Sequence, residues 1–419
     1  MARILAFSSP APGHVLPIAP GLRELADRGH EVLLVADEQC RELVAPLGIP
    51  TVQIDPRIPA VEVDDHLAKG NLERISRGVE CLMERGSFER EQLAHLVAEH
   101  RPDVLLVDFN AYGASAFAAT TGLPWAITYP TLVAFPERGI PPFGLGLKPM
   151  GGPIGRLRDA ALERVVMGTF NRAMLPGINR LREEVGLTPL GHVLDHMATA
   201  DRMIALTGAP LEYLRSEAPP WLRFVGTSSW DPPVDAPAWL TEPGDPWVLV
   251  TCSTEYQGDE RLAAAAIEGL RDEPVRVLVT IADADPSGLP SAPNVRIERF
   301  VPHSAVLPHA AAVVTHGGMG IVQKTIGAGV PLVVVPFGRD QPEVARRVVE
   351  CGAGVWLRLR KLRGDRLRAA VREAIAMRPG AEAAARRMQA SGGAERFADA
   401  VTEIVPAQDR TDIAHVVHA

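Results

Sequence analysis

Along the chain, short apolar runs alternate with longer amphipathic stretches, and turn residues mark most junctions. Residues 3–8 read as a strand and 9–14 as a loop; a helix carrying Pro17 early then runs to Arg28, stops at Gly29 and leads into a strand at 31–36. An amphipathic stretch between two short apolar runs predicts a βαβ unit with parallel strands. The same order returns late in the chain: an apolar run at 312–315, a helix over 321–328 stopped by Gly329 and Pro331, an apolar run at 332–335, and a helix opening at Pro342. A Gly-then-Pro stop and a Pro at the first helical position are ordinary helix punctuation. Further strands are expected at 104–107, 125–128, 247–251, 275–280 and 295–299, with a helix over 111–121. The pattern describes an α/β protein whose two halves repeat one architecture.

The 419 residues suit two domains rather than one. Residues 1–216 read as the first domain. Residues 217–246, with Pro219, Pro220, Pro232, Pro233, Pro237, Pro243 and Pro246, read as the connection, and 247–380 as the second domain. An Ala- and Arg-rich helix is expected over 381–405, followed by a loose tail, 406–419. Two stretches of the first half are too long or irregular to be simple connections. One is the polar excursion 54–91, broken by Pro56 and Pro59; the other is 139–155, with Pro141, Pro142, Pro149 and Pro153.

Hydrophobic residues make up 47% of the chain and charged residues 22%, the balance of a soluble globular protein. A formal net charge of -8 offers nucleic acid no electrostatic footing. Cys40, Cys81, Cys252 and Cys351 are scattered without CxxC spacing, as expected of reduced thiols. No run reaches the ~18 apolar residues of a membrane span, and the first apolar run is too short for a signal peptide. The expectation is a cytoplasmic protein, monomer or homodimer, with no membrane span.

Candidate chemistry gathers where strands give way to helices, the edge at which open α/β sheets collect ligands. His316, Gly317, Gly318, Met319 and Gly320 stand at one such junction. Closely spaced glycines let N–H groups approach an anion, and the helix start adds the positive end of its dipole. Asp340 and Gln341, after the next strand, offer acceptors and donors suited to sugar hydroxyls. His14 lies in the corresponding turn of the first half.

The combination HGGMG, then Gly329-Val330-Pro331, then Asp340-Gln341 resembles the donor-site signature of family 1 glycosyltransferases, inverting sugar transferases of GT-B fold. The resemblance covers nearly the whole chain and is closest to bacterial natural-product members. It implies two Rossmann-like β/α/β domains facing each other across a cleft. His14, in Gly13-His14-x-x-Pro17, matches the family's catalytic base, and Asp108 its orienting acid, although Asp108 also suits a helix cap. Donor contacts are implied at Thr254, Phe300, Val301, His316, Gly317, Gly318, Met319, Gly320, Asp340 and Gln341. Phe300 would stack on a pyrimidine or else belong to the core. The terminal helix would pack back on the first domain.

The implied partners are a nucleotide sugar, as co-substrate, and a small hydroxylated acceptor, with no cofactor and no metal. A DxD at Asp283-Ala284-Asp285 precedes Pro286-Ser287-Gly288 and reads as turn chemistry. The chain departs from members that use UDP-sugars at Ile321, where they carry Ser or Thr, and at Lys324, where they carry a ribose-contacting Glu. Lys324 is therefore either a donor contact or a solvated lysine. Thr254 follows Ser253, where the family usually has glycine. The expected reaction is transfer of a hexose, UDP-glucose-like or dTDP-linked, to a hydroxyl of a small apolar acceptor. The alternatives are a sugar-nucleotide epimerase of similar fold and a non-catalytic sugar-nucleotide-binding partner protein.

Overall fold

The structure is a computed structural model that describes residues 1–62, 64, 67–68, 70–233, 235–253, 258, 260–281 and 286–406. Its first sheet holds β1 (Arg3–Phe7), β2 (Glu31–Ala36), β3 (Thr51–Gln53), β4 (Val104–Asp108), β5 (Trp125–Tyr129), β6 (Arg202–Ala205) and β7 (Leu222–Phe224). The second holds β8 (Trp247–Thr251), β9 (Arg276–Thr280), β10 (Val295–Glu298), β11 (Ala310–Thr315), β12 (Leu332–Val334) and β13 (Gly354–Trp356). The spatial orders are β3-β2-β1-β4-β5-β6-β7 and β10-β9-β8-β11-β12-β13. Adjacent strands pair in parallel, with Leu5 opposite Leu105 and Val314 opposite Val250. Each sheet therefore reverses its winding once, between β1 and β4 and between β8 and β11, and its ligand edge lies at those carboxyl ends.

Strands covered on both faces need apolar residues at every position, which is why β4, β5 and β8 are buried from end to end. The helices that matter for the site are α1 (Pro12–Asp27), α2 (Asn71–His100), α3 (Tyr112–Ala118), α4 (Gly152–Glu183), α5 (Met319–Gly327), α6 (Gln341–Glu350), α7 (Arg378–Gln389) and α8 (Ala394–Thr402). The excursion 54–91 is mostly the first two-thirds of α2, and the loop expected over 139–155 gives way at Gly152 to the 32 residues of α4. Leu222–Phe224, inside the segment read as the connection, is the edge strand of the first sheet.

The single helix expected over 381–405 is two. Gly392 and Gly393, at φ of 120° and 150°, separate α7 from α8. Helix α7 packs in the second half beside α5, whereas α8 crosses over and sets Phe397 and Val401 into the core under β1. Gly21 of α1 makes room for this crossing, since a Cβ there would overlap the Phe397 ring. The chain thus passes between its halves twice.

Candidate active site

On the first sheet, β1 ends at Phe7 and α1 begins at Pro12, so His14 sits in the first turn of the helix rather than in the loop before it. Proline is pre-set for that opening position, and its missing N–H is no loss there. Asp108 closes β4, the strand beside β1. Its Oδ2 pairs with His14 Nδ1 at 2.8 Å, while its Oδ1 accepts from the Ser9 hydroxyl at 2.7 Å and from the Asn110 N–H at 3.0 Å. Asp108 is buried and the His14 ring is mostly so. The ring stacks on Phe109 at 5.5 Å, and Phe109 meets Tyr129 of β5 at 4.5 Å. With Nδ1–H donated to the carboxylate, Nε2 carries the basic lone pair. Asp108 does not take the cap role that also suited it: the cap position of α3 is Ala111, and among the described residues no side chain caps that helix.

On the second sheet, β11 runs through His316 and Gly317 into α5. Gly317 takes φ of 102°, a region open to glycine at no cost. Gly318 is glycine for another reason, because a Cβ there would stand 2.7 Å from His316 Nε2. Among the described residues outside its own helix, none comes within 4 Å of a Cβ position at Gly320. A helix start leaves its first N–H groups without intrahelical acceptors, and α5 starts at Met319 with no side-chain cap among the described residues. His316 is buried and hydrogen-bonds with the Thr251 main chain, joining the ends of β11 and β8. Burial above all, then the Arg339 guanidinium, pushes the ring down to about 4, so it is neutral at pH 7.

The loop between β12 and α6 closes the arrangement. Helix α6 begins at Gln341, one residue ahead of Pro342, with Asp340 at the cap position. Gln341 Oε1 accepts from the N–H groups of Phe337 and Gly338 at 2.7 and 3.1 Å, and the side chain is buried. It therefore braces its own loop. Asp340 Oδ2 accepts from the Thr131 hydroxyl at 2.6 Å, and Thr131 lies just past β5 of the other half. From α2, Arg74 donates to the Phe337 carbonyl at 2.9 Å. Glu343 of α6 accepts from the Gly146 N–H at 3.2 Å. The His14 ring thus rests on Phe109 and Tyr129 of β5, and two residues beyond Tyr129 in sequence Thr131 makes the bond to Asp340 of the other half.

Phe300 is 63% exposed and so is not a core residue, whereas Val301 and Ile321 are buried in one apolar cluster. Lys324 is neither solvated nor directed at the clamp: its ammonium pairs with Asp231, whose other oxygen accepts from the Ser304 N–H at 3.0 Å. Thr254 and the Asp283–Asp285 pair lie outside the described residues. Among the described residues no three His, Cys, Asp or Glu side chains gather as a metal site, and no helix is long and apolar enough to cross a membrane. Ser9, Arg74, Thr131 and Arg339 were missed by sequence reasoning. Only Ser9, the first residue of the loop predicted after a strand, carried any local signal.

Two facing doubly wound sheets, with a His–Asp pair on one and a glycine-opened helix on the other, define a GT-B glycosyltransferase. The chain belongs to the natural-product glycosyltransferases of that fold. Residues 266–407 match the family described as Erythromycin biosynthesis protein CIII-like, C-terminal domain. Over 388 residues the chain is 34% identical to 4'-demethylrebeccamycin synthase of Lentzea aerocolonigenes, covering 89% of this chain and 92% of that protein. It is 27% identical to demethyllactenocin mycarosyltransferase of Streptomyces fradiae over 380 residues, 85% of this chain and 76% of that one. The crystal structure of the kitacinnamycin glycosyltransferase superposes with a TM-score of 0.75 at 26% identity, over 97% of this chain and 99% of that chain.

Proposed function

We propose that this glycosyltransferase moves a hexose from a nucleotide sugar to a hydroxyl of a small, apolar natural-product acceptor in one inverting displacement. The observation that carries the proposal is the Asp108–His14 pair on the first sheet, in the half whose Thr131 bonds to Asp340 of the donor loop. His14 Nε2 takes the proton of the acceptor hydroxyl as its oxygen attacks the anomeric carbon. Asp108 holds the imidazole in the required tautomer and stabilises the imidazolium that forms. A positioned base of this kind is typically worth ~10²–10⁴-fold.

The departing diphosphate is received by the N–H groups around Gly318, Met319 and Gly320 and by the helix dipole behind them. Gly317 and the neutral His316 hold that turn in shape. Because His316 brings no charge, the neighbouring Arg339 is the cation that offsets the diphosphate. Phe300 offers an exposed face to the pyrimidine, with Val301 next to it in the chain. Asp340 takes the hexose hydroxyls and Gln341 keeps the loop that presents it. A UDP-glucose-like donor is favoured because a carboxylate at this place suits a fully hydroxylated sugar; a dTDP-sugar is the competing donor.

The test offers UDP-glucose and dTDP-glucose with a panel of hydroxylated aromatics and macrolides, read by mass spectrometry and by release of nucleotide diphosphate. Release that requires an acceptor, and persists in EDTA, is the expected result. Interconversion of the donor sugar without acceptor would instead make the protein an epimerase. Loss in EDTA with recovery on adding manganese would return Asp283 and Asp285 to the site.

A further inference from the structure

Arg74 stands on α2, in the half opposite the donor loop, and one of its terminal nitrogens donates to the Phe337 carbonyl at 2.9 Å. The loop is shaped to receive it. A Cβ at Gly338 would overlap the guanidinium, so only glycine at 338 lets the group lie against the backbone. Guanidinium has five N–H donors in a fixed plane, and a single carbonyl uses one. The Nε–H is buried, and among the described residues it has no acceptor. Nor does Arg74 reach a carboxylate among the described residues. That covered N–H is out of a ligand's reach, but Arg74 as a whole is only half-buried and its terminal nitrogens carry more N–H groups than the one carbonyl occupies, so the spare donors at the cleft are open to an acceptor brought by the ligand.

The chemistry of that acceptor follows from what shares the loop. Asp340, three residues beyond Phe337, presents a carboxylate already held by Thr131 from the same opposing half. A hydroxyl both donates and accepts, so it can give its proton to Asp340 and take an N–H from Arg74. A carboxylate on the ligand would meet Arg74 favourably but Asp340 unfavourably. We infer that Arg74 is a specificity-determining contact for the transferred sugar, donating to one of its hydroxyl oxygens from the acceptor side of the cleft. This rests on the reading of the Phe337–Gln341 loop as the sugar-binding loop. It assigns a part of donor selection to the half that binds the acceptor.

The experiment compares Arg74→Met and Arg74→Lys with the parent, using nucleotide-linked glucose and its 3-, 4- and 6-deoxy analogues, each scored as kcat/KM. The Met variant is expected to lose about tenfold on glucose and nothing further on one deoxy analogue, the one lacking the hydroxyl that Arg74 reads. The Lys variant should recover part of that discrimination, and the Kd of the free nucleotide diphosphate should not move. An equal loss on all four sugars would reduce Arg74 to a tie between the halves and overturn the inference, as would no loss at all. Asp340→Ala separates the two readings. If it impairs glucose transfer while Arg74→Met leaves selection unchanged, only the Arg74 inference fails; if it is also without effect, the loop assignment fails with it.

Discussion

Replacing Asp108 with Asn changes one atom, and the structure dictates which way that atom must point. Oδ1 accepts from the Ser9 hydroxyl and the Asn110 N–H, at 2.7 and 3.0 Å. The hydroxyl can turn round and accept, but a main-chain N–H cannot. An amide nitrogen at the Oδ1 position would therefore face another donor, so the carboxamide oxygen stays there and the NH2 is directed at His14 Nδ1, 2.8 Å away in the parent. The ring must then accept at Nδ1 and carry its proton on Nε2. That tautomer has no lone pair for the acceptor hydroxyl. The expected loss in kcat is roughly the whole contribution of a positioned base, ~10²–10⁴-fold. Stability should fall by only about 1 kcal/mol, since the two bonds at Oδ1 survive. Steady-state release of nucleotide diphosphate with a phenolic acceptor measures the first quantity, and urea unfolding the second. An Asn variant that keeps kcat within threefold, or that merely melts earlier, would refute the tautomer argument and with it the role of His14.

Lys324→Glu is expected to destabilise rather than to retune the donor. It sets a second carboxylate against Asp231 in a pair whose side chains are 15% and 11% exposed, and breaking such a pair costs roughly 3–5 kcal/mol. Adding Asp231→Lys should restore much of that in a double-mutant cycle of urea melts; strict additivity would show that the pair contributes nothing. Glu89, buried on α2, accepts from the Gly113 N–H of α3, and burial above all pushes its carboxyl up to about 8. The unfolded chain loses that proton near 4.5, so the stability it contributes is full below that pH and is lost as pH rises through about 8. Between those two values the folded state should lose about 1.4 kcal/mol for each pH step of one. Glu89→Gln should flatten that decline, and parallel stability–pH curves for variant and parent would contradict the assignment.

Much of this was legible because it is local. Apolar runs predict β2 and β8 to the residue, since strands covered on both faces leave no room for polar interruptions. Gly317 and Gly318 announce the turn between β11 and α5, one by its positive φ and the other by its closeness to the His316 ring. The start of α1 was misplaced because Pro17 looks like a helix opening, whereas Pro12 takes that position and Pro17 is carried inside the helix. Helix α4 escaped notice because its periodicity is poor: Ile154, Leu157 and Val165 face outward while Asp159 and Arg182 are buried. What could not be read at all is the closure of the cleft. Thr131 meets Asp340 across 209 residues and Arg74 meets Phe337 across 263, and no period or spacing encodes such pairs.

Those distant contacts are also what makes the two half-sites one site. On the proposed mechanism the base and the diphosphate-binding turn lie on different sheets, so displacement requires the halves to hold His14 and the anomeric carbon in register. Helix α6 is built for that. Its first turn follows Asp340, and one turn on it buries Arg347 against Glu343, with Arg347 also donating to the Leu211 carbonyl at 3.2 Å and lying over the Tyr213 ring at 3.4 Å. Glu212 of the same segment approaches Arg347 at 3.7 Å, and its carboxyl is pushed up to about 7, chiefly by burial. Pulling the halves apart would separate Arg347 from Leu211, Glu212 and Tyr213, a loss that grows steeply when a charge is this deeply buried. The helix that follows the Phe337–Gln341 loop is thus the one whose buried charge resists separation, and on the proposed mechanism any motion that opens the cleft moves Asp340 away from His14.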